Sequence, residues 1–156
     1  MTSADLAAQA VETWQINARL NLYLLEAISD EGLGVQLPKG KKVAAQFAHI
    51  HNVRLMWLKA AAPDLLDGLA KLEDPAEKQR ISDALTASAE AIAELLRRSY
   101  AADGKIKNFK PHATAFLGYM IAHEANHRGQ VEVALRQAGA PLTDKVGYGM
   151  WEWGVR

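Results

Sequence analysis

The sequence predicts an all-α fold, an antiparallel-type four-helix bundle with one long crossover loop. Three observations predict it. Runs rich in Ala and Leu recur at helical spacing, no long stretch alternates apolar and polar residues with a period of two, and Gly and Pro gather between the runs. At 156 residues the chain is long enough to bury a core unaided, and positions 1–156 read as a single domain.

The first helix is expected over about residues 4–28. Its stripe Ala7, Ala10, Val11, Trp14, Ala18, Leu22, Leu25 and Ile28 shares one face, with Asn21 as the odd polar member. Residues 30–41 carry Gly32, Gly34, Pro38 and Gly40, too many breakers for a helix, so they read as the crossover loop. A second helix follows over residues 43–61, ended by Pro63, with a short helical piece over 64–72. Asp74, Pro75 and Glu77 supply an N-cap acceptor, an N1 proline and an N3 glutamate, the makings of a capping box for the third helix, which reaches about Ala102. Pro111 opens the fourth, and Gly139 followed by Pro141 closes it. Residues 142–156 hold Tyr148, Met150, Trp151 and Trp153, too aromatic for a free tail, and are expected to cap one end or pack in an interface.

Composition narrows the function. The 18 Lys and Arg balance 18 Asp and Glu, and no basic stripe interleaved with aromatics appears, which argues against nucleic acid. The cluster Lys39-Gly40-Lys41-Lys42 reads as a solvated turn. Without cysteine there is no disulfide, thiolate ligand or protein thiol nucleophile, so thiol chemistry would need an external thiol. The N-terminal residues lack a basic region followed by an apolar one, and no run is apolar enough to span a bilayer; a cytoplasmic protein without a membrane partner is the expectation.

The most informative string is His123-Glu124-Ala125-Asn126-His127. Within a helix its histidines lie one turn apart on one face, with Cβ atoms roughly 5–6 Å from each other, where both can hold one divalent metal. His112, Phe116, Tyr119, Met120, His123, His127, Gln130 and Val131 share a broad, mostly apolar face, so the pair points inward. Buried imidazoles are costly unless satisfied, and a metal satisfies two at once; core histidines bonded to polar neighbours such as Asn21 are the plainer alternative. A further ligand would come from the second helix, which offers His49 and His51. These lie about 200° apart around the axis, so both cannot face one metal. His51 shares its side with Ala44, Phe47 and Leu58, His49 with Gln46, Val53 and Met56, and the wheel leaves the choice open.

His123-Glu124-Ala125-Asn126-His127-Arg128-Gly129-Gln130, the later string Tyr148-Gly149-Met150-Trp151-Glu152-Trp153, and Phe47-Ala48-His49-Ile50 together resemble the DinB/YfiT-like family of candidate metalloenzymes. The resemblance spans nearly the whole chain, and the H-x-x-x-H-R-G-Q string is its most specific part. It implies a four-helix bundle whose metal is held by His49, His123 and His127, with nickel or zinc as the leading ions and a homodimer as the assembly. His51 has no place in that pattern and is expected to be packed or to sit behind a ligand. The resemblance also implies a small-molecule substrate, with transfer to or from a low-molecular-weight thiol among the family's activities.

Three histidines would leave a coordination position open, as catalytic sites do. Glu124, about 60° round the helix from His127, is the expected catalytic group, placed to contact a bound water. Gln130 and Tyr119, one turn from the pair on the same face, are expected to back a ligand or touch substrate; Gly129 is expected to let helices approach closely. Against a thiol-dependent transferase or hydrolase stand two other readings. One is a non-catalytic, metal-stabilised dimeric module. The other is a zinc peptidase of the H-E-x-x-H type, which lacks its third ligand here, since position 133 is Val and Glu132 turns away from the pair.

Overall fold

The computed structural model describes residues 1–73 and 77–156. It is all-helical, with four long helices and, among the described residues, no strand beyond two isolated bridges. The long helices are α1 (Ser3–Glu26), α3 (Val43–Ala61), α4 (Lys78–Ala101) and α5 (Ala113–Gln137); α2 (Asp30–Leu33) and α6 (Asp144–Gly149) are short. No described helix is long and apolar enough to cross a membrane.

Local chemistry sets the ends. Thr2 accepts from the Asp5 amide while the Asp5 carboxylate accepts from the Thr2 amide, a reciprocal cap on α1. Ser29 caps a single turn, α2, inside the segment expected to be pure loop: its Oγ accepts from Gly32 N at 3.0 Å, enough to close one turn before Gly34. The short helical piece after Pro63 is a 3-10 turn over Pro63–Leu66. Asp74 and Pro75, the expected opening of the third helix, lie outside the described residues. Glu77 precedes α4 as its cap residue and makes no side-chain cap bond, so it is not the third residue of that helix. His112 does not join the inward face of α5; it is exposed, and its Nδ1 caps the helix by accepting from Ala115 N at 3.1 Å.

Helices α1 and α3 each pack on both α4 and α5, and hardly on each other. Residues 27–42 therefore carry the chain diagonally from α1 to α3. Because α1 faces two neighbours, its buried surface is wider than one stripe. It includes Asn17, Leu20 and Leu24, while Leu22, Ala7 and Ala10 are less enclosed.

The core divides into two apolar clusters. One gathers Leu24, Leu25, Phe47, Ile50, Leu85, Val131 and Leu135. The other gathers Trp14, Leu58, Ile92, Leu96, Phe116 and Met120. Each long helix places buried polar residues between them: Asn17 and Asn21 from α1, His51 and Arg54 from α3, Ser88 from α4, and Glu124, His127 and Arg128 from α5. A polar layer thus crosses the middle of the molecule, its cost offset by hydrogen bonds that leave Asn17 Oδ1, among these side chains, without a partner among the described residues.

Candidate metal centre

The layer is closed around one ion pair. Arg54 Nε donates to Glu124 Oε1 at 2.7 Å and Nη2 to Oε2 at 2.9 Å, a two-pronged contact between side chains of zero exposure. Asn17 and Asn21 each donate to Glu124 Oε2 at 2.8 Å, and Arg128 Nη1 donates to Asn21 Oδ1. The remaining Arg54 nitrogen, Nη1, donates to Leu85 O and to Ser88 Oγ. The guanidinium also lies 5.0 Å from the Trp14 ring centroid, and Trp14 is held by its indole N–H on Ala89 O.

His51 ends this chain of bonds. Its Nε2 lies 2.8 Å from Ala70 O, which can only accept, so Nε2 carries the proton and Nδ1 accepts from Ser88 Oγ at 3.0 Å. Burial pushes its pKa below the ordinary histidine value, in keeping with a neutral ring. Both ring nitrogens are thereby used, and His51 is a packed histidine.

On the other side of α3, His49 meets the α5 pair. One ligand nitrogen from each of His49, His123 and His127 lies within 4.8 Å of the others, and no carboxylate of the described residues joins the group. The His49 ring centroid is 5.4 Å from that of His123 and 4.6 Å from that of His127. His127 Nε2 stands 3.2 Å from His123 Nε2.

Gln46 sets the orientation of His127. Its Nε2 donates to Gln130 Oε1 at 2.9 Å, which leaves Gln46 Oε1 as acceptor for His127 Nδ1 at 2.7 Å. His127 Nδ1 therefore bears the proton, and its Nε2 lone pair points at the other two rings. Burial first, then the His123, His49 and Lys41 charges, push the His127 pKa down to about 4. His49 is lowered by burial, then by His123 and Lys41; His123 is lowered mainly by burial, with Glu124 opposing and Arg54 assisting. The three rings are thus lone-pair donors at neutral pH.

Two imidazole nitrogens bound to one tetrahedral ion at ~2.0–2.1 Å stand about 3.3 Å apart, so the His123–His127 spacing suits a shared metal. Within the protein, two facing lone pairs at that distance repel unless a proton or cation lies between them. His123 Nδ1 is buried with no partner among the described residues, so its tautomer is free to offer Nε2. The donor set therefore fits a divalent transition metal.

The other expected site residues are distributed unevenly. Tyr119 is 41% exposed and its ring stacks on His123 with centroids 6.4 Å apart. Gln130 reaches His127 through Gln46. Glu124, expected near a bound water, has both oxygens taken by Arg54, Asn17 and Asn21 inside the polar layer. Gly129 does not serve close helix approach: a Cβ there would meet nothing within 4 Å, because the residue borders a cavity. Gln46 and Arg54 were missed by sequence reasoning. A signal for Arg54 existed, since it is a charge on the apolar face shared by Phe47, Ile50 and Leu58.

No curated protein matches the chain in sequence. The model of the DinB family matches residues 1–152, and with that match over nearly its whole length the chain belongs to the DinB family.

Proposed function

We propose that the four long helices form a bundle of one domain in which His49, His123 and His127 hold a divalent metal, zinc or nickel, with a coordination position left open for a small-molecule substrate. The observation that carries this is the 3.2 Å approach of two imidazole nitrogens, one of them fixed as a lone pair by Gln46, beside a third ring and with no carboxylate among the described residues to close the site. A metal bound there supplies Lewis acidity and lowers the pKa of whatever water or external thiol it meets, which suits a transferase or hydrolase of cytoplasmic small molecules.

The chain's own residues divide the remaining work. Gln46, buttressed by Gln130, keeps His127 in the tautomer that donates from Nε2. Glu124 acts as a positioning residue: locked to Arg54, it fixes the level of α5 against α3 and so the place of its neighbour His123. Tyr119 walls the His123 side, exposed enough to touch substrate. A zinc peptidase would need the Glu124 carboxylate free to take a proton from water, and four donors already occupy it. The exposed rings of Tyr148 and Trp151 favour a homodimer, and a metal that only stiffens such a dimer is the second reading.

Elemental analysis of tag-free protein beside a His123→Ala/His127→Ala variant tests the centre. Near-stoichiometric zinc or nickel in the parent alone is expected. A parent that stays empty after reconstitution overturns the proposal.

A further inference from the structure

A cavity of about 480 Å³ adjoins the histidine cluster through Gln46. Its walls combine apolar Leu37, Pro38 and Val133 with the amides of Gln46, Asn126 and Gln130, and a single charged residue, Lys41, stands in its lining. That is the make-up of a small-ligand pocket: an apolar body with a few placed polar groups. Gly129 keeps one wall open, as a Cβ there meets nothing within 4 Å.

Lys41 belongs to the cluster that reads from sequence as a solvated turn; it is exposed there, and its loop is tied in place. Gly40 N donates to Leu37 O at 2.9 Å, Gln36 Nε2 donates to Gly40 O at 2.9 Å, and Val43 N donates to Val35 O at 2.9 Å. Lys39, at φ 62°, takes the left-handed conformation that turns the chain. Lys41 has no carboxylate partner among the described residues, as is true of most of the chain's lysines.

Resting on the metal-centre reading for the direction of its reactive end, we propose that this cavity binds a small aliphatic carboxylate, with the carboxylate on Lys41 and the far end turned towards the three histidines. One ammonium among neutral amides suits a monoanion. A phosphate would call for a second cation or a planar guanidinium fork, and the lining has neither. The apolar wall takes the hydrocarbon body, and the amide N–H groups of Asn126 and Gln130 remain to select polar substituents.

Titration calorimetry with hexanoate and its uncharged analogue hexanamide, on zinc-loaded and zinc-free protein, tests the assignment against Lys41→Met. Saturable hexanoate binding, little hexanamide binding, and a loss of about ten-fold or more in Lys41→Met with zinc content unchanged are expected, as a charge-assisted contact gives. Equal binding by Lys41→Met, or none by the parent, overturns it. Hexanoate that binds only zinc-loaded protein and ignores Lys41→Met sits on the metal instead, which also overturns it. Zinc content is read separately: a parent that takes no zinc but binds hexanoate through Lys41 sinks the metal reading and keeps the carboxylate site.

Discussion

Replacing Glu124 by Gln separates a buried anchor from a catalytic base. The carboxylate has zero exposure and accepts four hydrogen bonds, one on Oε1 from Arg54 and three on Oε2 from Arg54, Asn17 and Asn21. A glutamine can turn its oxygen to the three donors, but its NH2 then faces the Arg54 Nε–H, donor against donor. Arg54 keeps its charge in a site where, among the described residues, no other anion is bonded to it. Breaking one side of such a pair costs about 3–5 kcal/mol, because the partner's charge stays buried. For a chain of this length each kcal/mol moves Tm by roughly 2–4 °C, so Glu124→Gln should melt about 6–20 °C below the parent. Circular dichroism melts of metal-free protein measure this directly. The double variant Arg54→Met/Glu124→Leu removes both charges and should cost much less than the two single changes added together. A Glu124→Gln variant that melts with the parent but loses turnover would refute the anchor and restore Glu124 as a base.

Two further outcomes follow from the histidine environment. Gln46→Leu leaves His127 Nδ1–H without its acceptor and should weaken zinc binding by about 10–100-fold with helix content unchanged, as competition against a chelating dye would measure. Unchanged affinity would mean that Gln46 does not set the ring. The pH response has a definite sign: His127 falls from an ordinary value of 6.5 to about 4 on folding, so between those values the unfolded chain holds more protons. This contribution is fully present above pH 6.5 and is lost as pH drops towards 4; urea midpoints of the metal-free parent should fall across that interval more steeply than those of His127→Ala. Parallel slopes would contradict the assigned shift.

Helix existence was legible because each run carries its own period, and the histidine pair because both members sit on one helix. What crosses between helices was less so. The apolar face of α3 displays Arg54 openly, yet its partner could be named only by knowing that α5 brings Glu124 to the same level between the two apolar clusters. Asn21 was visible as a polar intruder on α1, whereas its role as a donor to that carboxylate was not. His49 and His51 lay equally open on the wheel; the Phe47-Ala48-His49-Ile50 string pointed to His49, and the structure separates them by giving His51 two protein partners. Ends failed for local reasons: Ser29 closes a turn among breakers, and His112 caps a helix it was expected to join.

The adjacency of Glu124 and His123 links stability to the site. Successive residues on a helix point about 100° apart, so one can be buried at the centre while the next stands at the edge. Arg54 and His49 are also divided on α3, five residues and so about 140° apart around the axis, with Arg54 bonded to Glu124 and His49 turned to the α5 pair. One ion pair therefore ties together the two helices that carry all three histidines, with Glu124 next to His123 on α5. An all-apolar layer would pack these helices as firmly but would allow them to slide by a turn, since apolar contacts carry no direction. A two-pronged pair with both oxygens committed admits one register. Its expense is then the means by which the nitrogens of His49, His123 and His127 reach a common point.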